Sequence, residues 1–165
     1  MTTQDLYLLL PEISIVILSL VILLIDITSP RKKNHLDAIC IAGLGLSLIL
    51  TAVLWLGVNG NYNDFIPEPR NSGILADTFL LDEFSLFFKV LFIAVTMIVF
   101  LISHEYADGR RHFGSEFYVL MMLSTAGMMM LSSVADLLTL YIALELATLP
   151  IAALASLLRD GRSSE

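Results

Sequence analysis

The sequence predicts an all-α integral membrane protein with about five transmembrane helices. Three observations carry this. The chain is 57% hydrophobic and 15% charged, well below the roughly 25% charge of soluble domains. Its apolar residues fall into stretches near the roughly 20 residues that cross a bilayer core. Short polar links separate these stretches, and Lys and Arg cluster on alternate links. The formal charge of −7 comes without a basic stripe, which argues against nucleic acid as a partner. Cys40 is the single cysteine and lies in an apolar run, so neither a disulfide framework nor a Cys-based metal site is expected. His35, His104 and His112 sit in links or at helix ends, without HxxxH or HExxH spacing.

The first helix is expected over residues 6–28. Pro11 and Glu12 suit its first turn, where proline needs no N–H and an acid meets the positive dipole end. Glu12 and Asp26 are both read as acids solvated at the membrane interfaces. The stretch before this helix has no positive n-region, Arg-rich amphipathic pattern or small-residue cleavage site, so no cleavable signal or transit peptide is expected. PRKKNH, residues 30–35, is a basic link. The second helix is expected over 36–58. Its Gly43, Ser47 and Thr51 form a small-xxx-small face suited to close packing, and Trp55 is placed as an interface anchor.

Residues 59–81 read as an extended outer loop, with 73–80 able to pair as a short hairpin strand. The third helix, 82–103, carries Lys89 about two turns in, a depth from which lysine can snorkel to the interface. The fourth, 116–133, contains Met121, Met122 and Met128 to Met130. Without Cys or His companions these read as adaptable packing, not as a metal site. A tight turn at 132–135 leads into the fifth helix, 136–158. The whole chain, 1–165, is read as one membrane domain. Arg31, Lys32, Lys33, Arg110, Arg111, Arg159 and Arg162 then share one side, opposite Arg70. The positive-inside rule places the N-terminus outside and the C-terminus on the cytoplasm or matrix side.

The fifth helix holds the candidate site. Glu145 stands at mid-span, where a carboxylate is costly and is by default a proton or ion site. The plainer alternative is a buried glutamate that hydrogen-bonds a neighbouring helix. Pro150 lacks an N–H, so the carbonyl of Leu146 loses its helical partner and the helix is expected to kink. Such a carbonyl must face protein or water, not lipid. Ala143, Ala147 and Ala152 are expected to admit a close neighbour.

Four stretches together resemble the antiporter-like membrane subunits of respiratory complex I, in particular the smallest of them. They are Leu10-Pro11-Glu12, LLID at 23–26, DEFSLFFKVL at 82–91, and DLLTLYIALELATLPIAALASLLRD at 136–160. The resemblance implies a role in coupling NADH oxidation by quinone to proton translocation. It places Glu145 in the chain of charged residues along the membrane arm. Lys89 matches a lysine common in the family's third helix and is a second candidate. The resemblance also implies that this chain binds no cofactor, with NADH, FMN, Fe–S clusters and quinone held by partner subunits. No Rossmann, P-loop or Fe–S cysteine pattern appears.

Family members carry further helices, with the lysines that partner the glutamate and the broken helices of the half-channels. This chain stops after the fifth, with RDGRSSE. The expectation is therefore the N-terminal portion of a larger subunit, either split between genes or a fragment. Its expected partners are other membrane-arm subunits, a second chain bearing the later helices, and membrane lipids. Its expected location is the mitochondrial inner membrane or the bacterial plasma membrane. The competing readings are a piece of a multisubunit cation/proton antiporter and a non-catalytic scaffold in the membrane arm.

Overall fold

In hydrocarbon each backbone polar group needs a partner within the chain, so long apolar stretches close their own hydrogen bonds as helices. The computed structural model describes residues 9–28, 36–59, 78–80, 82–107 and 115–163, and within them five helices. These are α1 (Leu10–Thr28), α2 (Leu36–Asn59), α3 (Glu83–Ala107), α4 (Ser115–Ser133) and α5 (Leu137–Ser163). No strand occurs among the described residues; there is one isolated antiparallel bridge, between Phe79 and Val134. The basic links, Arg70 and most of the 59–81 loop lie outside the described residues, as do the side chains of the three histidines.

The helices α1 to α4 close into a ring. α1 packs on α2 and α4, and α3 packs on the same two, so α1 and α3 face each other across the diagonal. Ile15, Ile22, Cys40, Leu44, Ile93, Phe100, Met122 and Met129 fill the interior. Met122 and Met129 thus serve as core packing. α5 lies against α4, on the ring's edge.

Four of the five helices, all except α4, are long and apolar enough to cross a membrane. α4 differs because protein surrounds it. Ser115, Ser124, Thr125 and Ser133 are buried along it, and intrahelical or interhelical partners satisfy three of these hydroxyls. Thr125 Oγ1 donates to the Met121 carbonyl at 2.8 Å, and Ser124 Oγ to that of Ala147 at 2.7 Å. Ser133 Oγ donates to the Met129 carbonyl at 3.3 Å.

The small face of α2 packs as expected. Ser47 and Thr51 are fully buried, and Ser47 Oγ donates to the Pro11 carbonyl at 3.2 Å. A Cβ on Gly43 would strike the Leu18 side chain. On α5 this chain itself supplies the neighbour for two of the three alanines. Ala143, Ala147 and Pro150 are buried, whereas Ala152 is exposed. At 100° per residue Ala152 falls on the far side of the helix from Ala143.

The hairpin expected within 73–80 is not what its described end forms. Residues 73–77 lie outside the described residues, while Phe79 pairs with Val134 between α4 and α5. Leu80 N–H donates to the Ser133 carbonyl at 2.7 Å and Ala135 N–H to that of Thr78 at 2.9 Å. The bridge pins the segments that lead into α3 and α5, so both helices start at one level. Asp82 then caps α3: its Oδ1 accepts from Ser85 N–H at 2.8 Å, and Ser85 Oγ accepts from Asp82 N–H at 3.0 Å.

Candidate functional site

Glu145 sits on α5 about 12 Å beyond that helix's start, counting 1.5 Å per residue. It is half-buried. Tyr141, one turn earlier and 61% exposed, lies within hydrogen-bonding reach of its carboxylate. Tyr141, Glu145, Thr148, Ala152 and Ser156 follow a spacing of three or four residues and so form a single face of α5. That face is separate from Ala143, Ala147 and Pro150, which are buried.

The backbone around Pro150 is handled by α4. Proline takes away the donor to the Leu146 carbonyl. Ser124 supplies a hydroxyl to the next carbonyl, that of Ala147. Gly127 makes the approach possible: a Cβ there would lie 2.4 Å from Ala147 N and 2.6 Å from the Leu146 carbonyl carbon. α5 remains helical through Pro150 and on to Ser163.

Lys89 is not near the surface. It is fully buried, about 9 Å into α3, and its Nζ lies 2.6 Å from Glu12 Oε1 on α1. Both interfacial readings are therefore corrected: Lys89 does not snorkel, and Glu12, at 3% exposure, is not solvated. The physical reason is mutual neutralisation, since either charge alone in this setting would be strongly destabilising. The contact is a close ion pair, not an aligned hydrogen bond. Glu12 Oε1, Glu12 Oε2 and Lys89 Nζ all lack a hydrogen-bond partner among the described residues.

A signal for this pair was present in the sequence. Lys89 is the one Lys or Arg inside the apolar stretches before residue 158, and apart from acids in the first two positions of a stretch the acids there are Glu12, Asp26 and Glu145. α1, α3 and α5 run in the same direction, so Glu12 and Glu145 share Lys89's end of the bundle and Asp26 does not. The choice between Glu12 and Glu145 depends on helix neighbourhood, which the sequence does not state. Among the described residues no three His, Cys, Asp or Glu side chains converge as a metal site.

No family model matches the chain. Its similarity to individual proteins is extensive. It is 35% identical over 156 residues to the NADH-quinone oxidoreductase subunit N of Dehalococcoides mccartyi, covering 94% of this chain and 30% of that protein. It is 34% identical over 159 residues to the protein of the same name from Heliobacterium modesticaldum, covering 96% of this chain and 31% of that one. Over nearly its whole length this chain is similar to the first part of these subunit N proteins. A third such relative, the F(420)H(2) dehydrogenase subunit N of Methanosarcina mazei, is 36% identical over 155 residues, covering 92% of this chain and 30% of its own length. The chain thus spans about a third of the length of these subunit N relatives. With so much of this chain matched, the relatedness takes in helices of both ionisable centres: Glu12 with Lys89 inside the ring, and Glu145 on its edge.

Proposed function

We propose that this chain forms part of the proton-translocating membrane arm of a complex I-like dehydrogenase, with Glu145 as a switchable carboxylate. The similarity to subunit N along nearly the whole chain carries the reading. The relatives' names support a role apart from electron input. One belongs to an enzyme named for NADH and another to one named for F(420)H(2). A part common to both serves a step that does not depend on the electron donor. NADH, flavin, Fe–S clusters and quinone accordingly belong to partner subunits, and the chain resides in an energy-transducing membrane.

The setting of Glu145 supports its role. A carboxylate in an apolar medium takes up a proton unless a cation stands close. Lys89 is committed to Glu12, so the cation that would hold Glu145 ionised comes from a partner subunit or from helices beyond these five. Movement of that cation toward or away from Glu145 would release or capture a proton. Tyr141 lies within hydrogen-bonding reach of the Glu145 carboxylate.

The test is Glu145→Gln in the intact membrane complex. Gln keeps the shape and removes the titratable group. Assembly is expected to persist, with proton translocation reduced in rate and in protons per electron. Unchanged stoichiometry and rate in the variant would refute the assignment.

A further inference from the structure

We propose that Glu12 and Lys89 form a second proton-exchanging site, internally hydrated and separate from Glu145. The proposal rests on the reading of the chain as part of a proton-translocating arm.

Three observations point to it. First, the pair is buried almost completely, with Lys89 at 0% and Glu12 at 3% exposure. Second, its hydrogen-bonding capacity is unfilled among the described residues. An ammonium offers three donors and a carboxylate roughly four acceptor sites, yet neither oxygen of Glu12 nor Nζ of Lys89 has a hydrogen-bond partner among the described residues. Buried polar groups left in that state are commonly met by internal water, which makes about two to four hydrogen bonds. Four buried hydroxyls on the surrounding helices donate elsewhere. Ser47 donates to the Pro11 carbonyl, Thr51 to that of Ser47, Ser85 to that of Asp82 and Ser133 to that of Met129. Third, the pair spans the diagonal of the ring, joining α1 to α3, with buried apolar side chains one turn further along. Ile15 and Ile93, each one turn further along from Glu12 and Lys89, are fully buried.

The chemistry is a proton uptake and release. In the resting pair Lys89 is an ammonium and Glu12 a carboxylate, with no net charge. A hydronium ion arriving through the internal water protonates Glu12: an O–H bond forms on the carboxylate, water is left, and the site gains one positive charge. Loss of that proton to water restores the pair. Lys89 holds the carboxylate ready without being consumed, and Ile15 and Ile93 deny the proton a direct exit through the ring. The site is thus a loading position at nearly the depth of Glu145, on the other side of α4.

The experiment uses the complete complex reconstituted in lipid vesicles. It measures assembly, protons moved per electron, and the infrared difference spectrum on quinone reduction. Glu12→Gln is expected to assemble, to lower the proton-to-electron ratio, and to lose one carboxylic C=O band. An assembled Glu12→Gln complex with an unchanged ratio or an unchanged spectrum overturns the proposal. If the single variant fails to assemble because Lys89 is left unpaired, Glu12→Gln with Lys89→Met removes both charges. An assembled double variant with a reduced ratio supports the proposal. A double variant with a normal ratio, or one that still fails to assemble, overturns it and leaves the pair a packing device. Glu145→Gln in parallel separates the two readings. A loss there with normal Glu12→Gln behaviour refutes only the second site, and no loss in either refutes both.

Discussion

At the scale of single residues, the chain shows how a membrane interior sorts its polar groups. Thr96 and Thr125 share a hydrogen bond of 2.7 Å between α3 and α4, and Ser124 serves α5 at the proline. Interhelical bonds of this kind are worth about 0.6 kcal/mol on average in a membrane and rarely more than about 1.7. Ser124→Ala is therefore expected to lower the stability of the complex by roughly that amount. Because the Ala147 carbonyl beside Pro150 loses a donor, the effect should exceed that of Thr148→Ala, whose exposed hydroxyl bonds only within its own helix, to the Leu144 carbonyl. Denaturation midpoints of the two variants in one detergent check the order. Individual side chains were partly legible in the sequence. Glu145 and Pro150 declared themselves by being out of place in an apolar span. Glu12 did not, because an acid in a helix's first turn has an ordinary explanation, and only the position of α1 against α3 shows that it answers Lys89.

At the scale of the helices, three glycines make an ordered series. A Cβ on Gly127 would meet α5 backbone at 2.4 Å, one on Gly43 would meet the Leu18 side chain, and one on Gly45 would meet nothing within 4 Å. Backbone cannot step aside, whereas a leucine can change rotamer. Gly127→Ala is thus expected to destabilise the α4–α5 contact by about 1–3 kcal/mol, the usual range for overpacking. Gly43→Ala should cost less, and Gly45→Ala should be neutral or stabilising by up to about 1 kcal/mol through helix propensity. Yield and thermal midpoint of the assembled complex read the series. The small-residue face on α2 was legible because spacing alone defines it. Gly127 was not, since it lies in a methionine-rich helix and its role appears only where α5 crosses it. The Phe79–Val134 bridge was hidden for a similar reason: strand alternation tells which residues can pair, but not with which distant segment. Its hydrogen bonds flank the pair and do not join it, the arrangement with Cα atoms about 4.5 Å apart. A Phe79→Cys, Val134→Cys variant should therefore form a disulfide on mild oxidation, seen as a shift on a non-reducing gel after fragmentation between the two sites.

At the scale of the whole molecule, α5 is the unfinished edge. Its inner face packs on α4, and its outer face sets Tyr141, Glu145, Thr148, Ala152 and Ser156 among exposed leucines and isoleucines. Leucine against lipid needs no explanation, but a half-buried carboxylate at mid-span does. Lys89, the cation among the described side chains, cannot answer it, because it is paired with Glu12 inside the ring. The outer face of α5 should therefore be covered by a helix that brings a lysine or arginine to Glu145's depth. The short spacing of small side chains along that face would let such a helix approach closely. Purification of the native membrane complex through this chain, followed by mass spectrometry, tests the arrangement. The expected result is co-purification with dehydrogenase subunits and with sequence corresponding to the rest of a subunit N. A cysteine at Thr148 should then cross-link to that partner, while one at Leu20 on α1, exposed on the ring's outside, should not. Recovery with cation/proton antiporter subunits instead would reassign the carboxylate to ion exchange without electron transfer. Recovery of this chain with no partner would leave Glu145 facing lipid, an arrangement that the energetics of a mid-membrane carboxylate oppose.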